Sequence, residues 1–454
     1  MMSTEHSLSA GFGSPAAAPA ASRGRGAVTN VRHRFEQTER EAFDDGWFGG
    51  DPDAPSPVDL SLDDIQDEPR RPPVADEQEG GEAAGHSIIS AAGALSGVSP
   101  GTSPETVGLP PAATQRYIPV VAAPRTTVKP EQARKLLSRN DSPDIPFDVA
   151  VNPYRGCEHG CVYCYARPTH AYLGYSPGLD FETRLVAKAN AVQALRAELA
   201  RPGYKVSPIN IGSATDVYQP IERTWRLTRG LLELMVETGH PLTLVTKNSL
   251  VERDLDLLTT LARERLVTVF ISITTLDADM ARTLEPRASA PWRRVETVRK
   301  LAEAGVPVGV LVAPVIPFIN DESMEQILEA AAGAGACSAS YTVVRLPWEV
   351  KEVFETWLHT HFPDRAQRVL HRIEDMRGGK RNDSSFDTRM RGTGIWADLL
   401  RQRFQVAARN LGLTGWRPEL AVDRFVPPAP AARRPRASAS EAARQAGQMA
   451  LFDE

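Results

Sequence analysis

The chain has 454 residues, enough for one large domain or two ordinary ones plus tails, and its 42% hydrophobic content supplies a sizeable core. Four cysteines, three of them within eight residues, are too few and too clustered for a disulfide framework; grouped thiols in an intracellular chain point to a metal. No stretch reaches the apolar length that crosses a bilayer, and Met1 to Ala21 lacks the basic-then-apolar pattern of a secretory signal, so the expected location is the cytoplasm.

The net charge of −5 is unevenly distributed. Residues 1–115 hold 7 Lys/Arg and 18 Asp/Glu, whereas the rest holds 45 and 39. An acidic tail on a mildly basic body is compatible with nucleic-acid contact without demanding it. Residues 1–115 are too polar and too rich in Pro, Ala and Gly to bury a core, and read as a disordered tail. One island differs: Arg23, Arg25, Arg32 and Arg34 flank "GAVTN" and precede Phe35, Phe43, Trp47 and Phe48. It reads as a solvated arm in preference to a segment that docks on the body or on a polyanion.

From about residue 116 six apolar runs appear: Phe147–Val151, Pro208–Ile211, Leu242–Thr246, Val267–Ile273, Val306–Val312 and Ser340–Val344. Each precedes a helical pattern, near 183–200, 225–238, 251–264, 291–304, 322–333 and 349–361. Continuous Val/Ile/Leu strands alternating with helices mean a parallel sheet covered by helices. Six such units suit an open doubly wound sheet or a partial barrel. The polar clusters "NPYRGCEHGCVYC", "SATDVYQPIE", "TKNSLVERD", "TTLDADMARTLEPRA", "APVIPFIND" and "RLPWE" all follow strands. Strand C-terminal ends are where βα barrels build active sites. Residues 363–425 read as a helical, basic extension with a final helix near 395–411, and 426–454 as a second disordered tail ending "GQMALFDE".

Cys157, Cys161 and Cys164 have Cys-x3-Cys-x2-Cys spacing, with Tyr163 before the last thiol. A short loop of this kind can place three thiolates on three corners of an iron–sulfur cube. A fourth nearby cysteine is missing, and that leaves one iron open for chemistry. Structural zinc on the three thiols plus His159 or His170 is the alternative. Cys337, alone in a small-residue stretch, reads as a small buried apolar residue.

The motif resembles the radical S-adenosylmethionine (radical SAM) superfamily. The resemblance runs through about residues 117–380 and implies an α/β fold with a partial (βα)6 TIM-like barrel over 116–362. It also implies a [4Fe-4S] cluster, S-adenosylmethionine bound at the open iron, a 5′-deoxyadenosyl radical that abstracts hydrogen, and an electron donor. By family position Tyr163 would lie by the adenine, Ser213, Thr215 and Asp216 by the methionyl end, Lys247 by the carboxylate, and Ser272 and Thr274 by the ribose. Each also has an ordinary reading: a helix cap for Asp216, a solvated Lys247, strand-suited Ser272 and Thr274. Glu285 and Arg287 read as a structural pair.

"ATDVYQPIE", "TKNSLVERD" and "LEPRASAPWRRVETVRKLAEAGVPV" are similar to the bacterial branch containing spore photoproduct lyase, often named DNA repair photolyase-like. That lyase uses a cysteine hydrogen donor not far downstream of its cluster. Here no cysteine lies between Cys164 and Cys337. That argues against spore-photoproduct repair by this route, so the branch name does not fix the activity; Cys337 is a candidate hydrogen donor if its thiol lies near the rim. Gln448, Leu451 and Phe452 of the terminal "QMALF" resemble a docking motif for the DNA sliding clamp, or arise by chance near a chain end. Lys380, Arg381, Arg389 and Arg391 are candidate nucleic-acid contacts, or a solvated loop. The expected function is a radical SAM enzyme acting on DNA in repair. The alternatives are the same chemistry on RNA, protein or a small molecule, and a zinc-stabilised adaptor without catalysis.

Overall fold

The computed structural model describes residues 24–35, 125–414 and 419–429, which fall in one compact unit. Its strands are β1 (Thr127–Glu131), β2 (Leu137–Arg139), β3 (Val149–Val151), β4 (Tyr154–Arg155), β5 (Arg184–Lys188), β6 (Ile209–Ile211), β7 (Leu242–Thr246), β8 (Val267–Ser272), β9 (Val308–Val315) and β10 (Ser338–Val343). Its helices are α1 (Asp180–Thr183), α2 (Ala191–Leu199), α3 (Glu222–Trp225), α4 (Leu227–Thr238), α5 (Leu255–Arg263), α6 (Ala278–Leu284), α7 (Pro291–Glu303), α8 (Met324–Gly333), α9 (Val350–His361), α10 (Pro363–Asp375) and α11 (Gly394–Asn410).

Seven strands form a sheet in the order β10-β9-β8-β7-β6-β3-β2. From β3 to β10 every neighbour is parallel and β2 is an antiparallel edge. Each parallel strand pairs with the one before it, the winding of a barrel segment, and among the described residues no ladder joins β10 back to β2 or β3. The six expected strands and the six crossover helices are all present, with bounds shifted by a few residues except for the first helix. The apolar runs are continuous because strands such as β8 are covered on both faces.

The expected helix 183–200 is corrected: its first part is β5, which pairs in parallel with β1 and antiparallel with β4 in a second, three-stranded sheet. Helix α2 starts only at Ala191. The alternation in "RLVAK" serves a strand whose partners lie far away in sequence. Helices α10 and α11 contribute Val369, Leu370, Ile373, Leu400 and Ala408 to the same apolar core as the sheet, so residues 363–411 are packed on the body. Residues 426–429, expected in the second tail, are ordered at least at Val426, whose N–H donates to Thr238. No helix among the described residues is long and apolar enough to cross a membrane.

Candidate active site

All six parallel strands end at one edge, and the loop after β3 carries Cys157, Cys161 and Cys164 to that edge. The three thiols are free, two of them buried and Cys164 half-buried. The loop is pinned on several sides. The Glu158 N–H donates to the Gln219 side-chain oxygen at 2.9 Å, and the Gln219 amide donates to the Gly156 carbonyl at 3.2 Å. The buried Arg167 guanidinium donates to the carbonyls of Gly160 and Cys161 at 3.0 and 2.9 Å. Val162 N–H reaches the Leu284 carbonyl.

Burial pushes the Cys157 thiol well above its ordinary pKa, helped by Asp216 and the other two cysteines. Burial likewise pushes Cys161 up to about 12, with Glu285 and Cys164 adding to the effect. Three soft donors have thus been gathered in one loop, two of them where a thiolate is costly without a cation, and this donor chemistry fits an iron–sulfur cluster. Among the described residues no three His, Cys, Asp or Glu side chains converge as the ligands of one ion do. The corners of a cube are spaced more widely than that.

Of the histidines that zinc would need, His159 is engaged at both ring nitrogens and His170 at Nε2. His159 sits between Asp216, 3.3 Å from its Nδ1, and the Asn248 amide, 3.0 Å from its Nε2. His170 is fully buried with Nε2 2.8 Å from the Arg184 carbonyl.

The loops after β6, β7 and β8 surround the cysteines. Asp216 accepts from the Thr246 hydroxyl and the Lys247 N–H, both at 2.7 Å, and from the Tyr218 N–H at 2.9 Å. Burial alone would raise its pKa, but His159 and these hydrogen bonds outweigh it and hold the carboxyl at about 2. Asp216 therefore builds the site from beneath, beside Cys157, by joining the β6 and β7 loops. Lys247 is half-buried, its ammonium 5.8 Å from the Tyr163 ring centroid and close enough to Cys161 and Glu285 to bias both. Tyr163 is buried, and its hydroxyl donates to Glu285.

Ser213 and Thr215 are gathered by Asn152, whose amide donates to the Ser213 hydroxyl and whose oxygen accepts from the N–H groups of Ala214 and Thr215. Ser272 and Thr274 are buried at the end of β8, and the Ser272 hydroxyl donates to the Ala313 carbonyl at 3.2 Å. Tyr163, Ser213, Thr215, Asp216, Lys247, Ser272 and Thr274 thus lie on the loops and strand ends of the edge that carries the cysteine loop.

Four expectations are corrected. Glu285 pairs with Arg294 at 2.5 Å, both essentially buried, while Arg287 pairs with Glu158 at 3.1 Å. Cys337 lies at the opposite edge of the sheet, where its N–H and Sγ–H both donate to Val308 at the start of β9. Strand β10 separates it from the rim by roughly 20 Å, so it cannot serve as a hydrogen donor there. The arginine island, expected to be solvated, is docked over residues 24–35: Arg25, Ala27, Val28 and Val31 are buried on the body. Arg389 and Arg381, expected at a nucleic-acid surface, are committed to carboxylates: Arg389 to Asp144 at 2.5 Å, Arg381 to Glu355 and Glu374. Lys380 and Arg391 are exposed. Gln448, Leu451 and Phe452 lie outside the described residues.

Sequence reasoning missed Asn152, Arg167, Glu182, Gln219 and Asn248. Asn152 precedes Pro153 and Gln219 precedes Pro220, and such X-Pro steps mark fixed turns. Nothing local announced Glu182.

Residues 151–331 match the family model of the Radical SAM superfamily. Over those residues the chain is similar to that superfamily, whose enzymes bind a [4Fe-4S] cluster and S-adenosylmethionine. An uncharacterised protein of Mycobacterium tuberculosis is 36% identical over 226 residues, 49% of this chain and 66% of its own length. An uncharacterised protein of Acidianus two-tailed virus is 28% identical over 218 residues, 46% of this chain and 71% of its own. The match thus spans just under two thirds of the mycobacterial relative. Among solved structures, spore photoproduct lyase complexed with dinucleoside spore photoproduct is 17% identical, with a TM-score of 0.43 over 63% of this chain and 78% of that one. SuiB of Streptococcus suis bound to S-adenosylmethionine is 14% identical, with a TM-score of 0.35 over 57% and 46%.

Proposed function

We propose that Cys157, Cys161 and Cys164 hold a [4Fe-4S] cluster and that the surrounding rim binds S-adenosylmethionine for radical chemistry on DNA. The observation that carries the reading is the loop itself: three free thiols without a fourth, at the strand edge where the polar loops of neighbouring strands meet. When bound and reduced, such a cluster with S-adenosylmethionine supplies a carbon radical able to take hydrogen from an unactivated position. The chain's own residues position and exclude water. Lys247 offers a cation to a carboxylate, Ser213 and Thr215 line the methionyl side, Ser272 and Thr274 the ribose side, and Tyr163 the adenine side.

The test is anaerobic reconstitution followed by reduction with S-adenosylmethionine present. Iron and sulfide in equal amounts and release of 5′-deoxyadenosine support the reading; zinc without cleavage removes it.

DNA is the favoured substrate because the rim motifs are similar to the photolyase-like branch and the body is mildly basic. A lesion in a duplex would have to be extruded to reach a loop this recessed. Ultraviolet-irradiated DNA should accelerate 5′-deoxyadenosine release and lose a photoproduct; turnover indifferent to DNA moves the substrate to RNA, protein or a small molecule. With Cys337 on the far edge, repair through a cysteine hydrogen donor is not part of the proposal. Clamp docking through Gln448, Leu451 and Phe452 is a separate element. Alanine at all three should abolish binding to a bacterial sliding clamp, and equal binding, or none in either form, discards it.

A further inference from the structure

The docked segment 24–35 touches the cysteine loop from across the sequence. Gly26 and Ala27 donate their N–H groups to the Glu182 carboxylate at 3.0 and 2.8 Å. Arg167 donates to the same carboxylate at 2.6 Å while holding the Gly160 and Cys161 carbonyls. Arg25 donates to the Glu182 carbonyl at 2.9 Å and to the Thr126 hydroxyl at 3.1 Å, and Thr126 donates to Glu158, the neighbour of Cys157. Two routes therefore run from the segment to the two ends of Cys157–Cys161.

The contact is also close in space. A Cβ on Gly26 would lie 1.6 Å from the Gly160 carbonyl oxygen, so only glycine fits. Gly160 itself has φ +68° with Glu182 packed against it.

The far end of the segment is fixed elsewhere. Val31 exchanges hydrogen bonds with Ser176, and Ala27 and Val31 pack with Val353 of α9. Arg34 donates to both oxygens of Glu349, at the start of α9. Helix α9 follows the last strand and the cysteines follow the first parallel strand, and no ladder joins those two strands among the described residues. The segment thus spans the open side of the partial barrel at its functional edge.

Resting on the cluster reading above, we infer that residues 24–34 are a strap that holds the Cys157–Cys161 loop in its ligand-bearing shape and shields it from water, with Gly26, Arg25 and Glu182 as positioning residues. Outer-shell partners of metal ligands typically change metal retention by roughly tenfold to a hundredfold. Solvent access and hydrogen bonding around a cluster set its reduction potential.

The experiment uses the full-length reconstituted protein and its Gly26→Val, Arg25→Met and Arg25→Lys variants. Iron extraction by a chelator is timed, the cluster is titrated by EPR, and thermal melting is recorded. Gly26→Val and Arg25→Met should lose iron at least about tenfold faster. Their midpoint potential should be more positive, because water stabilises the added electron. Arg25→Met should keep a cooperative melt, Gly26→Val should melt lower because of the clash at Gly160, and Arg25→Lys should recover part of the effect. Should Gly26→Val fail to fold, the Arg25 pair decides. A wild-type cluster matched by unchanged release and potential in the folded variants overturns the strap and leaves the cluster reading standing. A wild-type chain that takes up no cluster overturns both.

Discussion

The two edges of the parallel sheet are built from the same strands and put to different uses. At the C-terminal edge, buried charge is dense: Asp216 with His159, Glu285 with Arg294, and Glu182 with Arg167 all sit around three thiols. At the N-terminal edge, Cys337 caps a carbonyl, and His240 clusters with Tyr204 and Phe425 as a neutral packing group. A lone thiol among backbone partners is structural. Three thiols held by a network that has no reason to exist for packing alone form a site. Buried ion pairs cost desolvation and seldom stabilise more than apolar residues of the same shape, so their concentration on one edge marks where geometry is being fixed.

The comparison can be broken most sharply at the cysteines. Alanine at Cys157, Cys161 or Cys164 should abolish S-adenosylmethionine cleavage and most bound iron, measured by product release and metal analysis; the same change at Cys337 should leave both intact. Next in size is the buried pair beneath the rim. Arg294 also donates to the Ser289 and Ser272 carbonyls, so Arg294→Met strands Glu285 in the interior and should cost about 3 to 5 kcal/mol by denaturant unfolding.

The opposite edge predicts a pH effect. Burial lowers the His240 pKa to about 4, below its ordinary 6.5, with Nδ1–H donated to the Pro241 carbonyl and Nε2 accepting from Tyr204. The unfolded chain binds this proton first as pH falls. The stabilisation is therefore complete above about pH 6.5 and is lost towards pH 4, amounting to roughly 3 kcal/mol. His240→Gln should flatten that part of the stability–pH curve while leaving the rim unaffected. The smallest effect belongs to Cys337→Ser, which keeps a donor to Val308 and should change stability by under about 1 kcal/mol.

What the sequence disclosed follows from range. Strand β3, strands β6 to β10 and most of their helices were legible because apolar runs and amphipathic periods are local, and the cysteine spacing was legible because it is confined to one loop. The strands β1, β2, β4 and β5 fall outside the strand–helix repeat and take their identity from their pairing partners. Glu285 was matched with Arg287 because they are neighbours in sequence, yet the turn from α6 into α7 brings Arg294 to it instead. The arginine island looked solvated because the carboxylate that orders it, Glu182, lies 155 or more residues away. Both of these failures are polar contacts, for which no periodicity exists.

The cysteine edge is proposed as a radical site. The direct measurement is 5′-deoxyadenosine formed from S-adenosylmethionine by the anaerobically reconstituted, reduced protein, with iron, sulfide and zinc determined on the same sample. Equal iron and sulfide are expected, with nucleoside release that disappears in Cys161→Ala. Zinc on the thiols with no cleavage would contradict the proposal.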